Sequence, residues 1–159
     1  MPEMKLRMAA PEDAAVILDL VKQLAEYEKA LHEVVCTEAD ILRDGFGARP
    51  IWECVLAELD GVPVGMALFF PTWSTWTGHA RLYLEDLFVT PAARGRGVGM
   101  ALFRKLAEIA LARQYACIDW QVLDWNEPAI EFYKNLGAEF RREWFNYRLQ
   151  GDALKELAG

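Results

Sequence analysis

The sequence predicts an α/β (α+β) domain, a mixed and mostly antiparallel central sheet flanked by helices, with a parallel βαβ crossover near its centre. Three observations carry this. Apolar residues make up 53% of the 159 positions and charged residues 26%, enough hydrophobic surface to offset chain entropy and fill one core. Two apolar runs flank Asp60-Gly61, a short-range hairpin signal. A glycine-rich turn, Arg94 to Gly99, then separates a strand-like run from a helical stripe, the opening of a crossover unit. A chain of this length is expected to form a single domain over 1–159.

The elements follow in order. Met4 to Met8 alternates as a short strand, and Pro11, with Glu12 and Asp13 at the positive end of the dipole, opens a helix expected to reach about Leu31. Its apolar stripe is Val16, Ile17, Leu20, Leu24, Tyr27 and Leu31. Thr37 to Asp40 reads as a capping box with Asp in the Glu position, starting a short helix that Gly45 and Gly47 end. Ile51 to Phe70 supplies the hairpin, Pro71 to Gly78 a loop, and Ala80 to Val89 a strand that Pro91 stops. Met100 to Arg113 is a helix with Leu102, Leu106, Ile109 and Ala110 on one face, and Tyr115 to Leu123 returns as a strand. Asn126 caps a helix with Pro128 in its first turn and Gly137 past its end, and Trp144 to Leu149 closes the chain as a last strand.

Composition narrows the function. Lys and Arg number 17 against 24 Asp and Glu, a formal charge of −7, so no nucleic-acid partner is expected and a cationic substrate is favoured at long range. Cys36, Cys54 and Cys117 are odd in number and lie among apolar neighbours, which predicts buried thiols in a reducing, cytoplasmic setting. His32 and His79 join no metal-ligand spacing, so no metal is expected. No apolar run is long enough to span a bilayer, so neither a signal peptide nor a membrane partner is expected.

Arg94-Gly-Arg-Gly-Val-Gly99 places three glycines between strand and helix, where bare N–H groups and the helix dipole can receive phosphate oxygens. The P-loop and the dinucleotide fingerprint both fail on spacing, and a turn chosen only for tight packing is the structural alternative. The pattern R-x-x-G-x-G after Val-Thr-Pro resembles the acetyl-CoA pyrophosphate loop of the GNAT acetyltransferase superfamily. YLEDLFV (Tyr83 to Val89), DWNEPAIEFYKNLGA (Asp124 to Ala138), LAEYE and LRDGFG are similar to its spermidine/spermine and thialysine acetyltransferase branch. V-L-D-W-N and the C-terminal tail lean toward the thialysine type.

The resemblance implies a GNAT fold, acetyl-CoA as cosubstrate, a small cationic primary amine (polyamine, thialysine or another diamine-like molecule) as acceptor, direct attack in a ternary complex, and a homodimer. It implies that Gly95, Arg96, Gly97, Val98, Gly99 and Met100, with Arg94 beside them, hold the pyrophosphate. The backbone of Leu87, Phe88 and Val89 would pair with the pantetheine arm, and Asn126, Glu127, Pro128 and Ala129 would also touch CoA. Tyr133 would be the general acid and Glu85 would face the amine; Tyr27, Glu28, Asp119, Trp120, Gln121 and Glu143 would line the acceptor site.

The chemistry has use for these groups. An ammonium of pKa about 10.4 needs on the order of 4 to 5 kcal/mol to deprotonate at neutral pH, so a base or a water relay matters. The thiolate that leaves has a pKa of about 8.5 and gains from a hydroxyl proton, and the oxyanion needs a donor such as the Leu87 N–H. Glu85 and Asp86 sit mid-strand among apolar residues, and strand alternation sends them to opposite faces unless a bulge intervenes. Tyr133 and Tyr27 also fit core-facing stripes, so packing is the competing reading of both. Two other functions stay open: a protein lysine or N-terminal acetyltransferase, and an acyl-CoA-binding sensor without turnover.

Overall fold

The computed structural model describes residues 1–159 and divides into two compact units, Met1–Gln121 and Val122–Gly159. The first contains a five-stranded sheet in the order β1 (Met4–Met8), β2 (Glu53–Leu59), β3 (Val62–Trp73), β4 (Ala80–Val89), β5 (Ile118–Asp119). The first three pairings are antiparallel and β4 with β5 is parallel, joined by a helix. The mixed sheet with its single crossover is the predicted architecture.

Two helices cover one face. These are α1 (Ala14–Tyr27) and α2 (Glu38–Phe46), whose Ala14, Ile17, Leu20 and Ile41 bury against Cys54, Leu56, Met66 and Phe88. The alternate strand residues Val55, Ala67, Phe69, Leu82 and Leu84 are buried on the other face, which α3 (Val98–Ala112) covers with Val98, Leu102 and Leu106. Gly65 marks the close approach: a Cβ there would meet Val98 at 3.3 Å and Leu102 at 3.5 Å. Each such side chain removed from water is worth about 1.5 to 3 kcal/mol.

The capping box forms as expected. The Thr37 Oγ1 accepts the Asp40 N–H at 3.2 Å, and the Asp40 carboxylate accepts the Thr37 N–H at 2.9 Å. The first helix, by contrast, stops at Tyr27 and not near Leu31. Lys29 takes φ 61°, its N–H reaches the Glu26 carbonyl, and the Ala30 N–H reaches the Ala25 carbonyl at 2.8 Å. This is a Schellman ending with lysine at the left-handed position, where the sequence shows no glycine to announce it. The stripe continues to Leu31 only because a separate turn, Leu31–Glu33, follows.

Other expectations need correction. β3 runs on to Trp73, so the loop is shorter, and Trp73 and Trp76 are 63% and 88% exposed at its start and within it. The strand expected over Tyr115 to Leu123 pairs only at Ile118 and Asp119. The reason lies in β4: the register with β3 passes from Phe69–Leu84 to Leu68–Asp86, skipping Glu85. Such a bulge re-aims a strand and ends its pairing. Of the cysteines only Cys54 is buried; Cys36 precedes the α2 cap and Cys117 precedes β5, and both are exposed and outside any disulfide.

A buried ion network anchors β1 to the turn before α1. The Arg7 guanidinium donates to Asp13 at 2.7 and 2.9 Å and to Glu58 at 2.8 Å. Its hydrogen bond to Asp13 holds that carboxyl below the usual range, against the opposing effect of burial. A depressed carboxylate contributes stability above its unfolded pKa and loses it as pH falls through the folded value. Arg7→Leu, which leaves both acids buried without a cation, is expected to cost about 3 kcal/mol in urea unfolding at pH 7. The deficit should shrink as pH falls through the Asp13 titration, because the protonated acid no longer needs the Arg7 cation.

The second unit contains α4 (Glu127–Asn135) and α5 (Gly151–Ala158). The Asn126 side chain caps α4 by accepting the Ala129 N–H at 3.4 Å, and Gly137 beyond its end has φ 85°. The strand expected at Trp144–Leu149 is absent. Those residues have no regular structure, and Phe145 and Tyr147 are 82% and 95% exposed. Alternation alone cannot make a strand that has no partner.

Candidate functional site

The glycine-rich loop delivers what a phosphate needs. Gly95 and Gly97 take φ 75° and 81°, and a Cβ on either would meet nothing within 4 Å, so both border open space. Gly97 is the N-cap of α3, and the first bond from its carbonyl goes to the Ala101 N–H at 3.0 Å. The N–H groups of Val98, Gly99 and Met100 therefore have no intrahelical acceptor and lie at the positive end of a 15-residue helix. Arg96 is exposed beside them. A pyrophosphate fits this cradle.

Beside the loop, β4 presents an open edge. The Thr90 N–H donates to the Val64 carbonyl at 2.8 Å, which makes Gly65–Val89 a pair not bonded to each other. The N–H and C=O groups of Val89, and by alternation those of Leu87, thus face away from β3, whereas those of Phe88 are used in the ladder. On that far side β5 reaches only Leu82 and Tyr83. The Leu87 backbone lies on an unpaired stretch of edge, as an amide-bearing arm requires. The Val89 carbonyl also accepts from Arg94 Nε at 3.1 Å, which leaves its N–H facing the open edge.

The bulge also settles where the strand acids point. Leu84 faces α3, Glu85 would follow on the α1 side, and Asp86 pairs with Leu68, which packs in the α1–α2 core. The two consecutive carboxylates therefore share the α1 face. Glu28, the C-cap of α1, adds its charge to theirs: burial, then Glu85, then Glu28 push the Asp86 carboxyl up to about 6. Glu28 is itself raised by burial. Glu85 is exposed and Asp86 half-buried.

Tyr27, one residue before Glu28, lies under the Arg94 guanidinium, 4.9 Å from its ring centre; the same cation stands 5.6 Å from the Phe88 ring. Gln23, Glu26 and Pro91 complete the wall of a cavity of about 220 Å³ with these three. Sequence reasoning missed Gln23 and Glu26, although Gln23 lies one turn before Tyr27 on the same helix face, a spacing that carried the signal.

The remaining acceptor candidates separate. Asp119 pairs in register with Tyr83 on the α1 face, and Arg81 stands 3.6 Å from its carboxylate. Trp120 instead packs on Phe103 of α3, ring centres 5.2 Å apart, on the opposite side of the sheet, and Gln121 is exposed. In the second unit, Glu143 is exposed and held below the usual carboxylate range by its own backbone N–H and by Arg141, 2.9 Å away. Tyr133 lies half-buried on α4, edge-on to Phe132 with ring centres 6.0 Å apart, one turn beyond Glu127, Pro128 and Ala129.

A loop open to a phosphate, an open strand edge and a face of carboxylates thus gather on β4 and the elements next to it. The description "Acetyltransferase (GNAT) family" matches residues 19–138. The chain belongs to the GNAT acetyltransferase family. This acetyltransferase is 38% identical to the mouse protein named thialysine N-epsilon-acetyltransferase, over all of this chain and 99% of that one. It is 35% identical to the human spermidine/spermine N(1)-acetyltransferase-like protein 1, over 97% of this chain and 24% of that longer protein. Among solved structures, a Vibrio cholerae integron cassette protein superposes on the acetyltransferase with TM-score 0.82 at 25% identity, covering 98% of this chain and 97% of its own.

Proposed function

We propose that this acetyltransferase moves the acetyl group of acetyl-CoA to a primary amine of a small cationic acceptor, by direct attack in a ternary complex. The observation that carries the reading is the pairing of the phosphate cradle at Gly95–Met100 with the carboxylate face at Glu85, Asp86 and Glu28. Full-length relatives named for thialysine support the same acceptor class. The family match crosses the boundary at Gln121, which supports reading 1–159 as one catalytic domain.

Acetyl-CoA supplies the activated acyl group when bound. This chain's residues do the rest. The N–H groups at the start of α3 bind phosphate, the Leu87 backbone holds the arm, and the Leu87 N–H donates to the developing oxyanion. Glu85 draws in the ammonium and takes its proton, directly or through a water, and Tyr133 returns one to the sulfur. Asn126 and the first turn of α4 contact CoA, and Tyr27, Glu28 and Asp119 bound the acceptor. Gln121 and Glu143 complete the acceptor set, and Trp120, packed on the α3 side, is its weakest member.

The test is thiol release from acetyl-CoA, with purified protein, across polyamines, thialysine, lysine, aminoglycosides and lysine-containing peptides. Release with a small diamine and none with peptide supports the reading. Turnover confined to peptides would replace it with a protein acetyltransferase, and acetyl-CoA binding without turnover on any amine would replace it with a sensor.

The proposal includes a cytoplasmic homodimer. The exposed, alternating Trp144–Leu149 segment is a strand sequence without a strand partner, and a second copy is the natural one. Light scattering should give twice the 18.1 kDa chain mass at micromolar concentration. No helix is long and apolar enough to cross a membrane, and no group of three His, Cys, Asp or Glu side chains is placed to hold a metal ion.

A further inference from the structure

The α1 face of the sheet continues past the residues that the helices cover. The α1–α2 core takes in Met66, Leu68 and Phe88 but neither Phe70 nor Tyr83, which stay half-buried beside Thr72 and Arg81. Register pairs Phe70 with Tyr83 and Thr72 with Arg81, and alternation from Leu68 puts both pairs on the face of Asp86. The Phe70 and Tyr83 rings, 5.3 Å apart, make an aromatic floor between the acids at the bulge and the cation of Arg81. Arg81 differs from the other partly buried arginines of the unit spanning 1–121. Arg7 and Arg113 hold carboxylates at hydrogen-bond distances of 2.6 to 2.9 Å, and the Arg113 side chain is 40% exposed, as is that of Arg81. The Arg81 guanidinium makes no hydrogen bond, stands 3.6 Å from the Asp119 carboxylate, and has a buried Nε with no partner. A desolvated donor left unpaired is costly, and an acceptor brought by a ligand offsets that cost.

We infer that Arg81 is a specificity-determining residue: its guanidinium receives the carboxylate of an amino-acid acceptor whose far amine reacts at Glu85. The inference rests on the amine-acetyltransferase reading above and narrows the acceptor to a basic amino acid in place of a polyamine. Asp119 is level with Tyr83 in the parallel pairing, so the guanidinium beside it leans along the strand toward Glu85. At about 3.3 Å per residue, the level of Tyr83 lies about 7 Å from that of Glu85, a separation that a lysine-sized molecule spans from end nitrogen to carboxylate. The Tyr83 hydroxyl, raised first by burial, feels Glu85 and Asp86 on one side and Asp119 on the other, which places it along the same path. A guanidinium fork fits a carboxylate through two parallel bonds, and Asp119 beside it accepts the α-ammonium, so the paired charges of an amino-acid head meet an opposite pair. A polyamine would bring a cation against Arg81, a like-charge contact that costs affinity.

The experiment uses two pairs of amines that differ by a carboxylate alone: lysine against cadaverine, and ε-aminocaproate against pentylamine. The second pair carries no further ammonium, so it isolates the carboxylate. Each compound is assayed for kcat/KM with acetyl-CoA, or as an inhibitor of the best acceptor where its own turnover is slow. Wild type should prefer the acid of each pair roughly tenfold or more, the scale of one charge-assisted hydrogen bond. In Arg81→Gln both ratios should fall to about one through a rise in KM for the acid, and Arg81→Lys, which keeps the charge without the fork, should retain part of the preference. Thermal melts guard against misfolding. A wild-type ratio at or below one in either pair overturns the inference without any variant, and ratios kept in a folded Arg81→Gln protein overturn the role of Arg81. Absence of wild-type turnover on every amine overturns the reading beneath it as well.

Discussion

Tyr133→Phe should lower kcat by roughly a hundredfold or more, with acetyl-CoA affinity changed by less than about twofold. The leaving thiolate is a moderate base with a pKa of about 8.5, and a phenolic hydroxyl is a suitable donor near neutrality. The side chain lies half-buried on α4, and its ring packs edge-on against Phe132. Phenylalanine keeps that ring contact and removes the hydroxyl with its proton. A packing role therefore predicts a nearly silent substitution, and a proton-transfer role predicts a large loss in the chemical step. Single-turnover measurement with the best amine separates the two; near wild-type rates would leave Tyr133 a packing aromatic and assign the proton to water.

Gly97→Val should weaken acetyl-CoA binding by about a hundredfold, measured by calorimetry without any acceptor. Two effects add. A branched side chain at φ 81° costs on the order of 1 to 2 kcal/mol of backbone strain. Its methyl groups would also occupy the open space above the α3 N-terminus, where a phosphate oxygen would accept from the Val98 to Met100 N–H groups. Losing one or two charge-assisted bonds of about 1.5 to 3 kcal/mol each gives that hundredfold. Unchanged affinity in a folded Gly97→Val protein would remove the loop from the donor site.

What could be read from residues alone was whatever depends on local chemistry. The strand Ala80 to Val89, the capping box at Thr37, the Asp60-Gly61 hairpin and the Asn126 cap are written in turn residues and alternation, and each formed where expected. The features that escaped depend on partners. Whether Glu85 belongs to the regular ladder is decided by what β3 offers opposite it, and only the skipped register reveals the shared face of Glu85 and Asp86. Lys29 at a left-handed position is legible only through the bonds that end α1. Trp144 to Leu149 alternates well, and alternation describes a surface that wants pairing without saying what supplies it. The contact of the Arg94 cation with the Tyr27 and Phe88 rings joins residues that sequence distance keeps far apart.

The skipped position in β4 has an evolutionary side. Because Glu85 is the residue the ladder with β3 passes over, its side chain fills no slot in either core layer, and the alternation of Leu82, Leu84, Leu87 and Phe88 is already complete without it. Selection can therefore exchange the side chain at 85 without repacking the sheet, while donor recognition rests on backbone groups that no substitution there touches. The bulge thus separates chemistry from packing: the carboxylate at 85 is carried by the strand while the stability of the sheet is carried by its neighbours.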